Sequence, residues 1–145
     1  MSAVRTGKIG VIVADDHPSI RENLRYLLNA ETGIEVVGVA RDGVEAVELV
    51  RQHLPDVLIL DEDMPGALDG LAVIRELRRM KARTRVVLYT LEDEVCDEAR
   101  REGAAACVIK GDEYGHIVDA VHRAGAIAMG ASALSLHDER QQPPR

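Results

Sequence analysis

The sequence predicts an α/β domain with a doubly wound, five-stranded parallel sheet, and three observations support this fold class. Short β-branched apolar runs alternate with longer segments of helical periodicity, and the alternation repeats five times along the chain. Each apolar run is nearly continuous, as expected for strands that are covered on both faces. Crossovers between parallel strands are right-handed, so they place helices on both sides of the sheet.

The first two units each supply one strand and one helix. KIGVIVA (8–14) predicts the first strand, and Pro18 suits the first turn of the helix that follows. Apolar residues recur at helical spacing in that helix at Ile20, Leu24, Leu27 and Leu28. IEVVGVA (34–40) predicts the second strand, and Asp42-Gly43 predicts a turn before a helix over 44–53. The stripe expected to face inward in this helix is Val44, Val47 and Val50.

The last three units continue the alternation. Strands are predicted at 57–60 (VLIL), 85–89 (RVVLY) and 105–109 (AACVI). Asp69 can cap the third helix, in which the apolar positions are Leu71, Ile74 and Leu77. The fourth helix, 93–102, is polar, and only Val95 and Ala99 are expected to face inward before Gly103 ends it. The last helix carries a stripe formed by Ile117, Val118, Val121 and Ala124.

The length and composition indicate one domain with an aliphatic core. The chain has 145 residues, of which 46% are hydrophobic, with three Tyr and no Phe or Trp. We expect the domain to cover residues 1–129. From 130 to 145 the sequence is polar and lacks sustained periodicity, which predicts a tail or the start of an interdomain linker.

The charge and the cysteines restrict the class of function. A net charge of −7 argues against this chain alone binding a nucleic acid backbone. No apolar stretch reaches the roughly 18 residues of a membrane span, and the first residues lack a signal-peptide core. Cys96 and Cys107 have no metal-type spacing. We therefore expect a soluble cytoplasmic protein with reduced cysteines.

Polar residues stand at the carboxyl ends of four of the predicted strands. Asp15 and Asp16 follow the first, Asp61 the third, Thr90 the fourth and Lys110 the fifth. In a parallel sheet these ends open on one edge, so the five side chains are predicted to converge. Clustered carboxylates need a neutralising cation, and a small set of oxygen ligands suits Mg²⁺. The lysine and the hydroxyl suit a phosphoryl group.

The ordered motifs resemble the receiver domain of two-component response regulators over about residues 8–129. These motifs are ADDHP (14–18), DVLILDEDMP (56–65), YT (89–90) and GAAACVIKGD (103–112). ADDHPSIRENLRYLL and IEVVGVARDGVEAV look most like the NarL/LuxR-type subfamily, whose full-length members carry a helix-turn-helix domain after the receiver. The resemblance implies a flavodoxin-like sheet with strand order 2-1-3-4-5.

The resemblance also implies the role of each acidic residue. Asp61 would accept a phosphoryl group from a sensor histidine kinase. Asp15, Asp16 and Asp61, with the backbone carbonyl of Asp63, would bind Mg²⁺. The only chemistry implied for the chain itself is Mg²⁺-dependent self-phosphorylation from a phosphodonor and its own dephosphorylation, so we do not expect an enzyme beyond that.

Two further site residues and the partners follow from the same resemblance. Thr90 would bond one phosphoryl oxygen and Lys110 would pair with another, and recruitment of Thr90 would shift the fourth strand and helix. A homodimer is plausible. Contact with DNA, and so transcription regulation, would require a domain that is absent from this chain.

Two features depart from the family pattern. Cys107 stands where most receivers have an aromatic residue that rotates on activation. We therefore expect Tyr89 or the weakly packed segment 93–102 to carry the signal. In the loop after the phosphoacceptor, Pro65 and Gly70 are five positions apart instead of the usual four, which adds one residue without removing a ligand.

Other interpretations of the same residues stay open. A degenerate receiver could act as a phosphorylation-independent interaction module. The D-x-D of LILDEDM also occurs in phosphatases of the haloacid dehalogenase type, but Met64-Pro65 follow it here and the other acids lie upstream. His17 is expected to be a solvent-exposed residue at a helix start rather than a metal ligand. Cys107 is expected to be a small strand residue rather than a redox sensor.

Overall fold

The computed structural model describes residues 7–128, in which five strands and five helices alternate. The strands are β1 (Ile9–Ala14), β2 (Ile34–Ala40), β3 (Val57–Asp61), β4 (Arg85–Thr90) and β5 (Ala106–Ile109). The helices are α1 (Pro18–Asn29), α2 (Gly43–His53), α3 (Gly70–Arg79), α4 (Cys96–Glu102) and α5 (Tyr114–Ala128). A short 3₁₀ helix (Asp93–Val95) directly precedes α4.

The strands form one parallel sheet in the order β2-β1-β3-β4-β5, which confirms the predicted fold class. The register aligns Asp61 of β3 with Tyr89 of β4, and Thr90 of β4 with Ile109 of β5. Since all strands are parallel, their carboxyl ends lie at one edge of the sheet. The polar residues that follow these strands are therefore held at that edge.

Two aliphatic cores cover the two faces of the sheet. On one face, Leu58, Leu60 and Leu88 pack with apolar residues of α2, α3 and α4. On the other face, Val11 and Ile59 pack with apolar residues of α1 and α5. Burial of these side chains is the main favourable contribution to folding, and it fixes the strands from which the edge residues project.

The helix boundaries follow from local signals that the sequence carries. As predicted, Asp69 caps α3, and its side chain accepts a 2.9 Å hydrogen bond from Ala72 N. Asp42 caps α2 in the same way and accepts from Glu45 N at 2.8 Å. The single helix predicted over 93–102 is instead a 3₁₀ turn followed by α4.

One predicted core position in α2 is wrong. Val44 is 54% exposed, whereas the buried stripe of this helix is Gly43, Ala46, Val47 and Val50. Those four residues follow the i, i+3, i+4, i+7 spacing of one helical face. Val44 comes one residue after Gly43 and so points about 100° away from that face.

Some sequence predictions fall outside the described residues. The tail predicted at 130–145 lies there, so the boundary near residue 129 stays a prediction. Between residues 7 and 128, no helix is both long enough and apolar enough to cross a membrane.

Candidate functional site

The carboxyl edge of the sheet gathers the polar residues predicted to converge. Asp15 and Asp16 follow β1, Asp61 ends the adjacent β3, and Lys110 follows β5. Arg21 of α1 donates a 2.9 Å hydrogen bond to the carbonyl of Asp15, which holds the turn after β1 against its helix. The cluster is therefore built from segments almost a hundred residues apart in sequence, as Lys110 and Asp15 are separated by 95 positions.

Lys110 joins the two buried carboxylates of this cluster. Its Nζ lies 3.0 Å from Asp15 Oδ2 and 3.1 Å from Asp61 Oδ1. The side chain of Lys110 is 10% exposed, and those of Asp15 and Asp61 are 2% and 4% exposed. Because water is nearly excluded, these charge-assisted contacts are stronger than surface ion pairs of the same length.

Burial and nearby charges shift the pKa values of Asp61 and Lys110. Burial raises the pKa of Asp61 above its ordinary value, and the charge of Asp15 adds to the rise, although Lys110 opposes both. Burial alone would lower the pKa of Lys110, but its hydrogen bonds and charge interactions with Asp15 and Asp61 outweigh it and raise that pKa. The ammonium therefore stays charged between two acidic groups that repel one another.

Two buried carboxylate oxygens of the cluster are left without a hydrogen-bond partner within residues 7–128. They are Asp61 Oδ2 and Asp16 Oδ1. Leaving charged oxygens buried without a hydrogen bond is costly, so such atoms call for a cation or a donor, and His17 Nδ1 meets this need only at Asp16 Oδ1, by a 3.2 Å ion-pair contact. Ligand atoms of Asp15, Asp16, His17 and Asp61 all lie within 4.8 Å of one another. A hard divalent cation fits this set, because three of its four members are carboxylates.

His17 belongs to this cluster, which the sequence analysis did not predict. It is the N-cap residue of α1 and its side chain is 59% exposed, as expected, but its Nδ1 lies 2.9 Å from Asp15 Oδ1 and 3.2 Å from Asp16 Oδ1. The hydrogen bond with Asp15 and the charge of Asp16 raise the pKa of His17. Its position directly after the acidic pair was the only sequence signal for this contact.

Thr90 lies at the same edge but makes a different contact. It is buried at the end of β4, and its Oγ1 accepts a 3.2 Å hydrogen bond from the backbone N–H of Glu92. The backbone N–H of Lys110 donates to the carbonyl of Thr90 at 2.7 Å. Thr90 is thus bonded to the first residues of the loop that leads into α4.

The loop after β3 is shaped around Asp61 by two backbone contacts. The N–H of Asp63 donates to Asp61 Oδ1 at 3.3 Å, and the N–H of Gly70 donates to the carbonyl of Glu62 at 3.0 Å. A Cβ at position 70 would lie 2.9 Å from the Asp61 carbonyl oxygen, so only glycine allows this approach. Gly66, with φ of +97°, lies within the lengthened loop. That the Asp63 carbonyl binds a metal stays a prediction.

Further acidic groups surround the opening of the site. Burial raises the pKa of Glu62, and the charges of Asp63, Asp69, Asp61 and Glu92 raise it further. On the opposite side, the ring centroid of Tyr89 lies 5.7 Å from Lys110 Nζ, within reach of a cation–π contact. The rim is therefore strongly negative around the ammonium of Lys110.

The two cysteines correct the expectation of reduced thiols. Cys96, the first residue of α4, and Cys107 of β5 form a disulfide with a Cα–Cα distance of 5.6 Å. Cys96 is only 7% exposed, although it was not among the residues of this helix that the sequence predicted to face inward. The polar fourth helix is therefore held by a covalent bond as well as by Ala99, its other buried residue.

Comparison with known proteins gives one consistent family. The sequence profile described as "Response regulator receiver domain" matches residues 11–122. A protein named "Probable transcriptional regulatory protein NarL" from Mycobacterium tuberculosis (strain ATCC 25618 / H37Rv) is 41% identical over 123 residues, which are 83% of this chain and 56% of that protein. This chain therefore spans about half the length of that relative.

A second relative and one solved structure extend the comparison. The "Protein-glutamate methylesterase/protein-glutamine glutaminase 5" of Myxococcus xanthus (strain DK1622) is 47% identical over 105 residues, or 70% of this chain and 30% of that protein. The signal receiver domain of a NarL response regulator from Mycobacterium tuberculosis superposes with a TM-score of 0.77 at 39% identity. That match covers 81% of this chain and 96% of the solved chain.

Proposed function

The chain belongs to the response regulator receiver domain family, in its NarL/LuxR type, and we propose that Asp61 accepts a phosphoryl group from a sensor histidine kinase. The observation that supports this role is the state of the Asp61 carboxylate. One oxygen lies 3.1 Å from the ammonium of Lys110, and the other is buried without a partner among residues 7–128. The unpartnered oxygen is the atom that would attack phosphorus.

We propose that the acidic cluster binds Mg²⁺ through Asp15, Asp16, Asp61 and the backbone carbonyl of Asp63. The buried oxygens of Asp16 and Asp61 that accept no hydrogen bond support this, as does the oxygen-rich ligand set. Bound Mg²⁺ would supply positive charge against the carboxylates and the incoming phosphoryl oxygens. His17 is the weakest candidate ligand, because a hard cation prefers oxygen and the imidazole is already bonded to Asp15.

The transfer itself requires positioning and charge neutralisation rather than a separate base. An oxygen of Asp61 forms a bond to phosphorus while the bond from phosphorus to the kinase histidine nitrogen breaks. Asp61 is ionised for this attack when Lys110 pairs with its other oxygen. Lys110 and Thr90 then donate hydrogen bonds to the phosphoryl oxygens. Water later cleaves the acyl phosphate, and no reaction on an external substrate is proposed.

We propose that the whole protein acts in two-component signalling. We propose a receiver at residues 1–129, followed at 130–145 by a polar tail or the start of an interdomain linker. We propose a cytoplasmic regulator that can pair with a second copy and that acts on transcription through a DNA-binding domain outside this chain. The mycobacterial relative, named as a transcriptional regulatory protein, supports that output. The Myxococcus relative is named for a different activity, so the receiver alone does not determine the output.

A second candidate function is a degenerate receiver that binds partners without phosphorylation. The observation that favours it is the Cys96–Cys107 disulfide, which restrains the segment between β4 and β5. The unpaired oxygen of Asp61 weighs against it, because a module that never meets a cation or phosphate has no reason to keep that atom buried.

Intact-mass spectrometry after incubation with acetyl phosphate and Mg²⁺ tests the proposed function. We expect the wild-type chain to gain one phosphoryl group, and a chelator of Mg²⁺ to prevent the gain. Asp61→Asn should gain none. Asp112→Asn, a change at an exposed carboxylate near the same edge, is the matched control and should gain it normally. No gain in the wild-type chain would favour the phosphorylation-independent module, whereas an equal gain in Asp61→Asn would assign the phosphoryl group to another residue.

A further inference from the structure

The Cys96–Cys107 disulfide crosses the segment that separates β4 from β5. Cys96 opens α4, and Cys107 is the second residue of β5, which is an edge strand of the sheet. Helix α4 has seven residues, and only Cys96 and Ala99 are buried. The covalent bond is therefore a principal attachment of a short helix that otherwise has little apolar area to hold it.

Cys107, one half of the disulfide, lies on the same face of the sheet as Thr90. The parallel register aligns Cys107 with Leu88 and Ile109 with Thr90. Side chains two residues apart in a strand share a face, so Cys107 and Thr90 face the α4 side together with Leu88. The Thr90 hydroxyl and the disulfide are the two attachments that flank the loop 91–95.

Residues 91–95 are consequently held at both ends. At the start, Thr90 Oγ1 accepts the hydrogen bond from Glu92 N, and at the end the chain enters α4 at the cross-linked Cys96. If the Thr90 hydroxyl turns toward a phosphoryl group on Asp61, Glu92 N loses its acceptor. Residues 91–95 are then free to move away from Thr90, and the cross-link at Cys96 opposes that movement.

We propose that Cys96 and Cys107 form a reversible redox-modification site whose oxidation restrains residues 91–102 and slows phosphoryl uptake by Asp61. This regulation rests on the proposed function of Asp61. In its reduced form the pair would free the start of α4 and allow Thr90 to turn. The receiver would then integrate two inputs, the phosphodonor and the thiol–disulfide balance of its compartment.

The redox step is a thiol–disulfide exchange with an external disulfide of the glutathione class. One cysteine thiolate attacks the external disulfide, forms a mixed disulfide and releases one thiol. The second cysteine attacks the mixed disulfide, closes the Cys96–Cys107 bond and releases the second thiol. The two protein sulfurs lose two electrons in total, and the external disulfide gains them, so two thiols of the external compound are formed.

The position of the pair suits such an exchange. Cys107 is partly exposed and lines a surface groove of about 350 Å³ between β5 and α5, together with Arg100, His116 and Arg123. Cys107 is therefore the more exposed residue of the pair, and we take it as the point of approach for an external thiol or disulfide. In a reducing compartment, disulfides that do form are mostly transient and regulatory, which fits the cytoplasmic location proposed above.

A redox titration tests the modification site without any phosphoryl chemistry. The full chain is equilibrated in mixtures of glutathione and glutathione disulfide, and its free thiols are alkylated and counted by intact mass. We expect a reversible two-electron transition between zero and two alkylated thiols while the circular dichroism of the fold persists. A pair that stays oxidised until the chain unfolds, or that never closes, would overturn the proposal.

Phosphoryl uptake from acetyl phosphate with Mg²⁺ then tests the regulation on the same polypeptide in its two redox forms. We expect the oxidised form to take up phosphate more slowly than the reduced form, by on the order of five-fold or more. Hydrogen exchange of residues 91–102 should rise on phosphorylation in the reduced form and stay lower in the oxidised form. The double variant Cys96→Ser/Cys107→Ser has no thiol left to exchange, so it should match the reduced form and ignore glutathione disulfide.

The outcomes separate this inference from the proposed function. Equal uptake rates and equal exchange in the two redox forms would overturn the inference and leave Asp61 as the phosphoacceptor. Faster uptake by the oxidised form would also overturn it. If neither form gains a phosphoryl group, the proposed function fails, and the proposed regulation of uptake fails with it. In that case the glutathione titration alone still decides whether the cysteine pair is reversible.

Discussion

The ammonium group of Lys110 lies 3.1 Å from Asp61 Oδ1, while Asp61 Oδ2 has no partner among the described residues. Lys110 thus neutralises one oxygen of the Asp61 carboxylate, and the other oxygen has no partner among the described residues. The same ammonium also holds Asp15 at 3.0 Å, so a single positive charge serves two buried negative ones. This arrangement is short of positive charge, so the site should respond to the loss of the lysine and to the addition of a cation.

Replacing Lys110 with Met should destabilise the domain in the absence of Mg²⁺. The change leaves Asp15 and Asp61 buried without their cation, and breaking such a pair costs about 3 kcal/mol. Urea unfolding with a chelator present measures the loss, and added Mg²⁺ should restore part of it. Lys81→Met, at an exposed position, is the control and should be close to neutral. An unchanged free energy of unfolding in Lys110→Met would refute the account of the charge balance.

Mg²⁺ binding should depend on Asp16 much more than on His17. Asp16→Asn removes the charge of a carboxylate whose buried oxygen accepts no hydrogen bond, so we expect the affinity for Mg²⁺ to fall roughly tenfold or more. His17→Gln should change it by less than about two-fold, because a hard cation prefers oxygen ligands. Isothermal titration calorimetry measures both, with Asp112→Asn as control. A larger loss in His17→Gln than in Asp16→Asn would identify the imidazole as a ligand.

Thr90→Ala should separate phosphorylation from its structural response. The variant loses the acceptor for Glu92 N, which costs about 1 kcal/mol because Glu92 lies at an exposed position. We expect the chain still to be phosphorylated, but hydrogen exchange of residues 91–102 should no longer respond. Thr90→Ser keeps the hydroxyl and serves as the control. A normal exchange response in Thr90→Ala would show that the signal leaves the site by another route.

Gly70→Ala should disturb the site through the backbone of Asp61 and Glu62. The added Cβ would lie 2.7 Å from Glu62 Cα and 2.9 Å from the Asp61 carbonyl oxygen, and these are backbone atoms with little freedom to move. We expect a loss of about 1–3 kcal/mol in the free energy of unfolding, with weaker Mg²⁺ binding. Gly115→Ala is the matched control, since a Cβ there meets nothing within 4 Å. Equal stability of the two variants would argue against the close approach of α3 to β3.

Reduction of the disulfide should lower the thermal stability of the domain. Cys96 and Cys107 are 11 residues apart, and closing a loop of that size stabilises by about 3 kcal/mol in the chain-entropy description. For a domain of this size the melting temperature should fall by roughly 10 °C in dithiothreitol. The double variant Cys96→Ser/Cys107→Ser should melt at one temperature with or without the reductant. A wild-type melting temperature that ignores dithiothreitol would contradict the presence of the bond.

The fold could be predicted from the sequence because its signals are local. Near-continuous apolar runs mark the buried strands, and Asp69 marks the start of α3 by its own side chain. The convergence of Asp15, Asp61 and Lys110 followed from the parallel sheet alone. Their chemical roles stay predictions, because neither geometry nor likeness to relatives measures a reaction.

What the sequence could not predict depends on how helices sit on the sheet. Val44 was misplaced because valines at every third position suggested a stripe, whereas the buried face of α2 follows Gly43 and Ala46. The disulfide was missed because a separation of 11 residues does not tell whether Cys96 meets β5. Cys96 comes directly after a 3₁₀ turn that no local pattern indicated.

The central claim is tested most directly by locating the phosphoryl group on the chain. The full chain is treated with acetyl phosphate and Mg²⁺, and borohydride then reduces any acyl phosphate to the corresponding alcohol. Peptide mass spectrometry should find the alcohol derived from Asp61 only when both the phosphodonor and Mg²⁺ were present. An unreduced Asp61 in every sample, or a reduced carboxylate at another position, would contradict the assignment of Asp61 as the phosphoacceptor.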